Sequence, residues 1–328
     1  MNFWEGKNVL VTGGAGFIGS HVIDQLVELG TLVTVPVRHT TNLRNIQHQK
    51  NDIKVIHANL ANFEEALYAT KNQDIIMHLA VRQGGLGYNI ENHAVMFREN
   101  IISFLNIVEA ARQCDAGRML TTSSACVYPR FCTIPTPETE GFLDEPEPTN
   151  AGYGWSKRMA EKVSQWYIGQ YGMKIAVARP YNAYGPRDNF DLKTSHVIPA
   201  LIRRVEEGEN PVVVWGSGEQ SRAFLYVTDF ARGLIEITEK YPTGDPLNIG
   251  TDEEVTMQNL ISEVCRVAGK SPRIEYDRTR PEGQPRRNCD TRKAKEKINY
   301  NARVNLKEGL KQTIMWYREN RNEILSQQ

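Results

Sequence analysis

The stretch Asn8-Val9-Leu10-Val11-Thr12-Gly13-Gly14-Ala15-Gly16-Phe17-Ile18-Gly19 decides the fold of this chain. A run typical of a β-strand leads directly into glycines at a spacing of three, and the residues that follow have an amphipathic helical pattern. Glycine at Gly13, Gly16 and Gly19 lets the backbone approach a pyrophosphate, which the free N–H groups at the start of a helix can bind. The stretch therefore predicts a dinucleotide-binding unit, with Phe17 and Ile18 beside the cofactor.

The rest of the first half repeats the alternation of strand and helix. The strand-like runs are Asn8–Thr12, Leu32–Val37, Ile53–His57, Asp74–Leu79, Arg118–Thr122 and Ile175–Pro180, and the helical patterns are His21–Leu29, Phe97–Arg112 and Tyr153–Tyr171. Such alternation predicts an α/β fold with a Rossmann-type doubly wound parallel sheet of about six or seven strands.

Beyond residue 180 the pattern changes to loops rich in Gly, Pro and Asn, interrupted by helices. These helices are predicted near Pro199–Glu207, Asp229–Glu239, Met257–Ala268 and Leu306–Asn320. We expect residues 1–180 to form a dinucleotide-binding domain and residues 181–328 a smaller mixed α/β C-terminal domain that binds the substrate, with the chain crossing between the two. The basic, proline-containing segment Arg278–Arg287 is expected to be a loop that reaches a ligand.

The composition favours chemistry on a small molecule. The 328 residues carry 39 basic and 39 acidic side chains, so no net charge draws the protein to nucleic acid or to a membrane surface. The sequence has no apolar stretch of about eighteen residues and no leader pattern, which predicts a soluble, cytoplasmic protein. Five cysteines without CxxC spacing argue against a disulfide framework and a zinc site, so no metal is expected.

Tyr153 and Lys157 are four residues apart in a helical segment, about thirty residues after Ser123 and Ser124. A spacing of four places two side chains on one face of a helix. The charge of Lys157 can therefore stabilise a Tyr153 phenolate, because the ordinary tyrosine pKa near 10 would leave it a poor base at neutral pH. A tyrosine assisted in this way is a usable acid and base, and the combination predicts hydride chemistry on a nicotinamide.

The end of the second strand indicates which nicotinamide cofactor is used. A carboxylate there would bond the adenosine ribose hydroxyls and repel a 2′-phosphate, but the sequence has Arg38 followed by Thr40 and Thr41. This favours NADP, while NAD stays possible if Arg38 only stacks on adenine. The other predicted cofactor contacts lie further along the chain: Asn59, Leu60, Leu79, Ala80, Val81, Asn100 and Tyr181.

Several motifs spread over the whole chain occur together. They are Thr12–Gly19, Ser123-Ser124-Ala125-Cys126-Val127-Tyr128, Tyr153-x-x-x-Lys157, Arg179-Pro180-Tyr181-Asn182-x-Tyr184-Gly185-Pro186 and Trp215-Gly216-Ser217-Gly218-x-x-x-Arg222-x-Phe224. This set resembles the extended short-chain dehydrogenase/reductase family, also called the NAD-dependent epimerase/dehydratase family, whose members act mostly on nucleotide sugars. The resemblance implies that Ser124 and Tyr153 touch the hydroxyl or ketone at sugar carbon 4. It also implies that Lys157 holds the nicotinamide ribose and lowers the tyrosine pKa.

Cys126 separates the branches of that family. Members that eliminate water carry an acidic residue just after the catalytic serine or threonine, whereas this chain has Ala125 and Cys126 there, which disfavours a 4,6-dehydratase. The motif is instead similar to that of the GDP-L-fucose synthases and the GDP-mannose 3,5-epimerases, which use the cysteine as acid or base at carbons 3 and 5. A proton beside a carbon-4 ketone is acidified because Ser124 and Tyr153 can stabilise the enolate oxygen. A thiol that ionises near pH 8.5 is well matched to that proton.

An inverting proton transfer needs a second group on the opposite face of the sugar ring. The segment around His196 resembles the fucose synthases, whose acid is the histidine of Ser-His-Val-Ile-Pro, while Gly84–Asn89 is more similar to the glycine-rich sugar loop of the mannose epimerases. If Cys126 is only a small core residue, the activity reduces to a carbon-4 epimerase or dehydrogenase. A non-catalytic nucleotide-binding protein is disfavoured because Tyr153 and Lys157 are both present.

A nucleotide diphosphate needs cationic groups and a stacking surface, and the planar fork of arginine suits a phosphate. By resemblance, Arg222 and Asn182 would bind phosphate, and Val197 and Trp215 would flank the base. The full predicted substrate-binding set is Gly85, Leu86, Ser123, Ser124, Asn182, Val197, Arg204, Trp215, Arg222 and Arg286. The resemblance also implies a GDP-hexose or its 4-keto form as substrate and a homodimer, while net reduction and net epimerisation both stay open.

Overall fold

The fold is described from a computed structural model that covers residues 2–82, 86–280 and 284–326. Its strands are β1 (Asn8–Thr12), β2 (Leu32–Val37), β3 (Ile53–His57), β4 (Ile75–His78), β5 (Arg118–Thr122), β6 (Ile175–Pro180), β7 (Ala183–Tyr184), β8 (Val212–Trp215), β9 (Ser221–Ala223), β10 (Leu225–Tyr226), β11 (Leu247–Ile249), β12 (Glu254–Thr256), β13 (Ile274–Asp277) and β14 (Arg286–Arg287). Its helices are α1 (Phe17–Glu28), α2 (Phe63–Thr70), α3 (Leu86–Glu91), α4 (His93–Gln113), α5 (Ala151–Tyr171), α6 (Val197–Glu206), α7 (Val227–Lys240), α8 (Met257–Ala268), α9 (Arg292–Ile298) and α10 (Leu306–Ser326).

Seven parallel strands form the main sheet, in the order β11-β6-β5-β4-β1-β2-β3. This confirms the predicted α/β, Rossmann-type fold, and the strands β1, β2, β3, β5 and β6 have the predicted bounds. Successive side chains of a strand point to opposite faces, so Val9 and Val11 pack in one hydrophobic cluster and Leu10 in another. Helices α1 and α7 cover the first face, and α2, α4 and α5 cover the second. Both faces are therefore buried, as a parallel sheet requires.

A second hydrophobic core lies among α6, α8 and α10, where Leu201, Ile261 and Leu310 are buried. Strand β8 pairs with β13 beside it, and β12, β9 and β14 form a small three-stranded sheet. The chain returns to the main sheet after residue 180, because β11 pairs with β6 and α7 packs on the first face. The division of the chain into two domains at residue 180 stays a prediction.

Some elements differ from the sequence expectations. Helices α2 and α9 are not predicted by the sequence. The strands β7 to β14 are not predicted either, because strands of two to four residues show no clear periodicity. The segment expected to be a ligand-reaching loop ends in a strand, because Arg286–Arg287 pair with Ser221–Arg222. This strand fixes which of its two arginines faces the interior.

A buried ion pair ties helix α5 to the main sheet. Arg179 on β6 donates from Nε and Nη2 to the Glu161 carboxylate on α5, at 2.9 and 2.7 Å. The two side chains are 2% and 1% exposed. Ser123, which directly follows β5, donates a hydrogen bond to the same carboxylate. The pair therefore fixes α5 against the end of β5.

The same arginine also holds the loop that follows β5. Its Nη1 donates to the Glu138 carbonyl at 2.6 Å and to the Tyr128 hydroxyl at 3.2 Å. The Tyr128 hydroxyl in turn donates to Oδ1 of Asn248, a residue of strand β11, at 2.5 Å. A Cβ atom at Gly141 would lie 2.5 Å from the Arg179 guanidinium, so only glycine leaves room there. With its polar groups paired in this way, the buried charge is compensated.

We predict that Arg179→Met lowers the free energy of unfolding by about 3–5 kcal/mol, because it leaves the Glu161 carboxylate buried without its countercharge. Urea denaturation measures the loss. The matched control is Arg112→Met, which breaks a partly exposed ion pair with Glu109 and should cost far less. Adding Glu161→Leu to Arg179→Met should recover part of the stability. Equal losses in the Arg112 and Arg179 variants would contradict the prediction.

Candidate active site

The glycine-rich turn between β1 and α1 has the shape that a dinucleotide needs. Gly13 has a φ of +70°, and a Cβ atom there would lie 2.8 Å from the backbone nitrogen of Ala80. A Cβ at Gly19 would lie 2.2 Å from the Gly13 carbonyl oxygen. Gly16 is the N-cap of α1, whose first turn has no acidic residue and contains Phe17 and Ile18. The turn therefore leaves backbone N–H groups and a positive helix end available to a pyrophosphate.

The end of β4 is fixed to the same turn. Thr12 Oγ1 accepts hydrogen bonds from the backbone N–H groups of Leu79 and Ala80, each at 3.1 Å. It also lies 2.9 Å from His78 Nδ1. Burial lowers the pKa of His78 to about 3, with a further contribution from the charge of Lys157. His78 is therefore neutral and is a packing residue of the sheet, while Leu79 and Ala80 border the glycine turn.

Arg38 lies directly after β2 and is exposed. Its backbone N–H donates to Thr41 Oγ1 at 3.1 Å, which shapes the turn that follows the strand. His39 in this turn stacks on His57 at the end of β3, with ring centroids 4.1 Å apart. Arg38 therefore lies at the carboxyl end of β2, where the predicted cofactor would place its adenosine.

Asn100 and Tyr181, which the sequence predicts as cofactor contacts, are both buried. Asn100 bonds the backbone N–H and carbonyl of Arg82, at 2.8 and 3.0 Å, and the carbonyl of Met96 at 2.7 Å. All of its polar groups thus hold the segment after β4, next to the exposed Val81. Tyr181 is 3% exposed, because it packs behind the loop that follows β5. Tyr181 also lines a cavity together with Ala125 and Arg287, and the role of Asn100 and Tyr181 at the cofactor stays a prediction.

Two further predicted cofactor contacts follow β3. The side-chain oxygen of Asn59 accepts from the backbone N–H of Ala61 at 3.2 Å. The backbone N–H of Asn59 donates to the Glu65 carboxylate at 2.7 Å. Leu60 is 9% exposed and packs in the core on the second face of the sheet. Asn59 is exposed, so of these two residues it offers more surface to an adenine ring.

Ser124, Cys126, Tyr153 and Lys157 lie together. Ser124 begins a short 3₁₀ turn and its Oγ accepts from the backbone N–H of Cys126 at 3.1 Å. Tyr153 on α5 is 6% exposed, and its side chain makes a hydrogen bond with Ser124. Lys157 lies one turn further along α5, where its Nζ is 5.4 Å from the centroid of the Tyr153 ring and donates to the Thr122 carbonyl at 2.8 Å. The spacing of four therefore does place both side chains on one face.

Burial sets the ionisation of this cluster. It raises the pKa of Tyr153, the negative charge of Cys126 raises it further, and the Ser124 hydrogen bond opposes the shift. Burial also lowers the pKa of Lys157 to about 8, although the charges of Cys126 and Glu161 oppose that shift. The sequence predicts that Lys157 lowers the tyrosine pKa, whereas here desolvation of the phenolate is the larger effect. Tyr153 is therefore a protonated donor at neutral pH.

Strand β14 places Arg286 and Arg287, either of which could add charge at the predicted substrate site, in different surroundings. The exposed side chain of Arg286 pairs with Glu254 on β12, through Nε at 2.7 Å and Nη2 at 2.8 Å. The next residue, Arg287, points to the opposite face, where its Nη2 donates to Cys126 Sγ at 3.9 Å. The sequence shows two adjacent arginines, and only the period of two in a strand distinguishes them.

Arg222 on β9 is paired in register with Arg287 on β14, so both belong to one face of the small sheet. Burial lowers the pKa of Arg222 to about 10, the charge of Arg287 lowers it further, and Glu254 opposes the shift. Trp215 at the end of β8 is 48% exposed, and the guanidinium of Arg280 lies 5.3 Å from its ring centroid. The strands β8, β9 and β14 therefore carry concentrated positive charge and an exposed aromatic ring.

Other predicted substrate contacts are used within the protein. Ser123 is 1% exposed and donates to Glu161, so its hydroxyl is committed to the buried ion pair. Asn182 donates from Nδ2 to the Ala223 carbonyl at 3.2 Å, and Arg204 donates from Nη1 to the Val213 carbonyl at 2.8 Å. Gly85 lies outside the described residues, as does the side chain of Leu86, the first residue of α3.

His196 lies on a separate element, as the N-cap of α6 ahead of the partly exposed Val197. His196 is exposed, yet partial desolvation of its ring lowers its pKa. The hydroxyl of the preceding Ser195 is buried and has no hydrogen-bond partner within the described chain. No described hydrogen bond or ion pair joins His196 to Cys126, so the structure does not bring these two predicted groups into direct contact.

Within residues 2–82, 86–280 and 284–326, no three His, Cys, Asp or Glu side chains gather as metal ligands. The helices of the same ranges include none with both the length and the apolar character of a membrane span.

Comparison with known proteins identifies relatives of the whole chain. The chain is 35% identical over 322 residues to a probable GDP-L-fucose synthase 1 of Oryza sativa subsp. japonica, which covers 96% of this chain and 93% of the relative. It is 31% identical over 324 residues to a dTDP-4-dehydro-6-deoxy-D-allose reductase of a Streptomyces species, and this match covers 96% of this chain and 97% of the relative.

A solved structure is similar over nearly the same length. The crystal structure of UDP-glucose 4-epimerase with UDP-glucose from Thermotoga maritima has a TM-score of 0.84 and 30% sequence identity, over 95% of this chain and 99% of that chain. The family model described as "NAD dependent epimerase/dehydratase family" matches residues 9–250. By its sequence, its sheet and its relatives, the chain belongs to this family of nicotinamide-dependent enzymes.

Proposed function

We propose that this chain is an NAD(P)-dependent nucleotide-sugar epimerase/reductase that acts on a GDP-hexose or its 4-keto form. Hydride transfer occurs at carbon 4 and proton transfer at carbons 3 and 5. The observation that carries the proposal is that Cys126 lies in one cluster with Ser124, Tyr153 and Lys157. The name of the rice relative, a GDP-L-fucose synthase, supports a GDP-sugar as the substrate.

Chemistry at carbon 4 uses Tyr153 as the acid. The nicotinamide cofactor, when bound, supplies the hydride that carbon 4 gains in reduction. Tyr153 gives its proton to the carbon-4 oxygen, so the ketone gains a hydride and a proton and becomes a hydroxyl. The Ser124 hydrogen bond orients the phenol, and Lys157, 5.4 Å from the ring centroid, stabilises the phenolate that is left.

Chemistry at carbons 3 and 5 uses Cys126 and His196. The Cys126 thiolate takes a proton from the carbon beside the ketone, and the electron pair of that C–H bond moves to the carbon-4 oxygen as an enolate. Ser124 and Tyr153 donate hydrogen bonds to this oxygen. His196 then returns a proton to the carbon from the opposite face and the ketone re-forms, which inverts the centre. Partial desolvation lowers the pKa of His196, so its protonated ring is a stronger acid but is the less populated form at neutral pH.

The residues around the glycine turn fit a dinucleotide. Gly13, Gly16 and Gly19 would hold the pyrophosphate, since any Cβ at Gly13 or Gly19 would meet backbone atoms. The exposed Arg38 would bind a 2′-phosphate, so we propose NADP as the preferred cofactor. The buried Oγ1 of Thr122, which has no partner among the described residues, is left for the nicotinamide end.

Arg222 supports binding of a nucleotide diphosphate, because its burial beside Arg287 concentrates positive charge that a phosphate would neutralise. Trp215 offers an exposed ring for stacking on the base. On this proposal residues 1–180 bind the cofactor, residues 181–328 bind the nucleotide sugar, and the protein is a homodimer. Its five free cysteines suit the reducing cytoplasm.

A carbon-4 epimerase is the second candidate function. It is favoured by the solved UDP-glucose 4-epimerase, which is 30% identical to this chain and has a TM-score of 0.84. Such an enzyme needs Ser124, Tyr153 and Lys157 but no thiol at position 126. The two candidates therefore differ in what they require of Cys126.

We predict that Tyr153→Phe abolishes hydride transfer, with turnover reduced at least about 100-fold, because it removes the proposed acid at the carbon-4 oxygen and leaves only the hydrogen bond from Ser124. The loss of NADPH absorbance with a GDP-4-keto-hexose measures it. The control is Tyr167→Phe on the same helix, whose hydroxyl bonds Glu109 at 3.0 Å on another surface and which should leave turnover unchanged. Near-normal turnover in Tyr153→Phe would refute the role of this residue.

We predict that Cys126→Ser stops the incorporation of solvent deuterium at carbons 3 and 5 of a 4-keto sugar, because a hydroxyl is a far weaker base than a thiolate. Mass spectrometry of the product measures the exchange, and NADPH binding should be retained. Cys265→Ser on α8, within the second core, is the matched control. Full turnover of a 4-epimerase substrate by Cys126→Ser, with no deuterium exchange in the wild type, would favour the second candidate.

We predict that Arg38→Ala weakens NADPH binding about tenfold or more and leaves NADH binding nearly unchanged, because only NADPH carries the 2′-phosphate. Fluorescence titration of both cofactors measures the ratio of their dissociation constants. NADH serves as the internal control for folding. An effect on NADPH of less than about threefold would remove Arg38 as the phosphate ligand.

A further inference from the structure

A row of polar contacts joins the end of strand β5 to helix α5. Successive residues at the end of the strand contact residues that are three or four apart along the helix. The four pairs are Thr121–Ser164, Thr122–Lys157, Ser123–Glu161 and Ser124–Tyr153. On the helix these spacings place all four partners on one face. This β5–α5 contact row therefore couples the height of the helix to the height of the strand.

Alternate side chains of the strand segment point toward α5. Met119 packs in the hydrophobic cluster on the α5 side of the sheet, and Thr121 and Ser123 follow it at the strand period of two. Thr122 lies between them and contributes its backbone carbonyl to the row. The backbone N–H of Ser123 donates to the Ala178 carbonyl on β6 at 2.8 Å, so Ser123 is itself fixed to the main sheet. Its side chain can therefore transmit the position of the sheet to the helix.

Glu161 is the residue of α5 that accepts the hydrogen bond of the Ser123 hydroxyl. Arg179 holds the same carboxylate at 2.9 and 2.7 Å, and both side chains of this ion pair are buried. Glu161 lies one helical turn beyond Lys157 and is close enough to act on its charge. Burial lowers the pKa of Lys157 to about 8, while the charges of Cys126 and then of Glu161 oppose that shift. Glu161 therefore anchors α5 beside the cation of the site.

A small movement of α5 would separate the groups that react at carbon 4. Tyr153 and Lys157 belong to the helix. Their partners, Ser124 and the carbonyl of Thr122, belong to the strand segment. One residue of helix rises about 1.5 Å, and misplacing a reacting group by about 1 Å can cost on the order of 100-fold in rate. Because Ser123 lies between the two partners on the strand, the loss of its bond to the helix would loosen both contacts at once.

We propose that Ser123 is a positioning residue, whose hydrogen bond to Glu161 sets the height of α5 against the end of β5. Tyr153 is thereby held where it can exchange a proton with the carbon-4 oxygen during hydride transfer. This role differs from the substrate contact that the sequence predicts for Ser123. It rests on the proposed chemistry at carbon 4, which both candidate functions share.

The test compares Ser123→Ala with Ser164→Ala in the full chain. Each substitution removes one buried bond of the contact row, and that of Ser164 is with Thr121 at 2.8 Å. In Ser123→Ala, Glu161 keeps both bonds from Arg179, so its buried charge stays compensated. We expect Ser123→Ala to lower kcat at least about tenfold and to leave KM nearly unchanged. Ser164→Ala, at the end of the row far from the reacting groups, should change kcat less than about twofold.

The substrate is a GDP-4-keto-hexose or a 4-epimerase substrate, whichever the wild type accepts. Ser123→Thr keeps the hydroxyl and should restore most of kcat. If Ser123→Ala does not fold, Ser123→Cys replaces it, because a thiol of similar size is a weaker hydrogen-bond donor. A raised KM with an unchanged kcat would make Ser123 a substrate contact and overturn the inference. Equal losses of kcat in the Ser123 and Ser164 variants would overturn it as well, since they would indicate a general loss of rigidity.

A second measurement does not depend on the substrate. Crystal structures of the wild type and of the Ser123 variant compare the distance from Lys157 Nζ to the Thr122 carbonyl oxygen, which is 2.8 Å here. We expect this distance to exceed about 3.5 Å in the variant, beyond hydrogen-bond range. An unchanged distance would overturn the inference. A lengthened distance in a protein whose wild type accepts neither substrate would refute the proposed function and leave the positioning of α5 by Ser123 intact. The two failures are therefore distinguishable.

Discussion

The rest of the site depends on the buried ion pair between Arg179 and Glu161. It joins the helix that carries Tyr153 and Lys157 to the strand beside it, at less than 3 Å between the charged atoms. A buried pair of this kind adds little net stability over apolar packing, but breaking it is costly. Its value lies in geometry, because the carboxylate and the guanidinium accept only one arrangement of α5, β5 and β6. The acid and the cation of the proposed chemistry are therefore held in fixed positions.

A second constraint is the burial of Tyr153 and Lys157. Burial disfavours the charged forms of both side chains, so it raises the pKa of Tyr153 and lowers the pKa of Lys157. The charge of Cys126 opposes the lowering of the Lys157 pKa. The Cys126 sulfur also accepts a hydrogen bond from Arg287 Nη2. The site thus holds a neutral acid, Tyr153, near the sulfur of Cys126. In the proposed reaction, a carbon-4 ketone that enters this site would meet the proton donor and the proposed base together.

Much of this site could be predicted from sequence because its motifs are local. The glycine turn and the pair Tyr153 and Lys157 depend on spacings of three and four, which a single turn or helix fixes. The arginine that contacts Cys126 could not be chosen in the same way, since Arg286 and Arg287 are adjacent and only their pairing with Ser221–Arg222 decides which one faces inward. The sequence likewise could not distinguish the role of Ser123 from that of Ser124, because the carboxylate that accepts the Ser123 hydrogen bond belongs to Glu161 on α5.

By itself the sequence determined the α/β class, the bounds of five strands of the main sheet and the chemical types at the site. These follow from periodicity, glycine spacing and motifs, which act over a few residues. Only the tertiary structure decided that the side chains of Ser123 and Asn100 form hydrogen bonds within the protein. It alone also decided that Arg287 contacts Cys126. It also decided that burial, rather than the charge of Lys157, dominates the pKa of Tyr153. The physical reason is that desolvation and side-chain pairing depend on atoms brought together from distant parts of the chain.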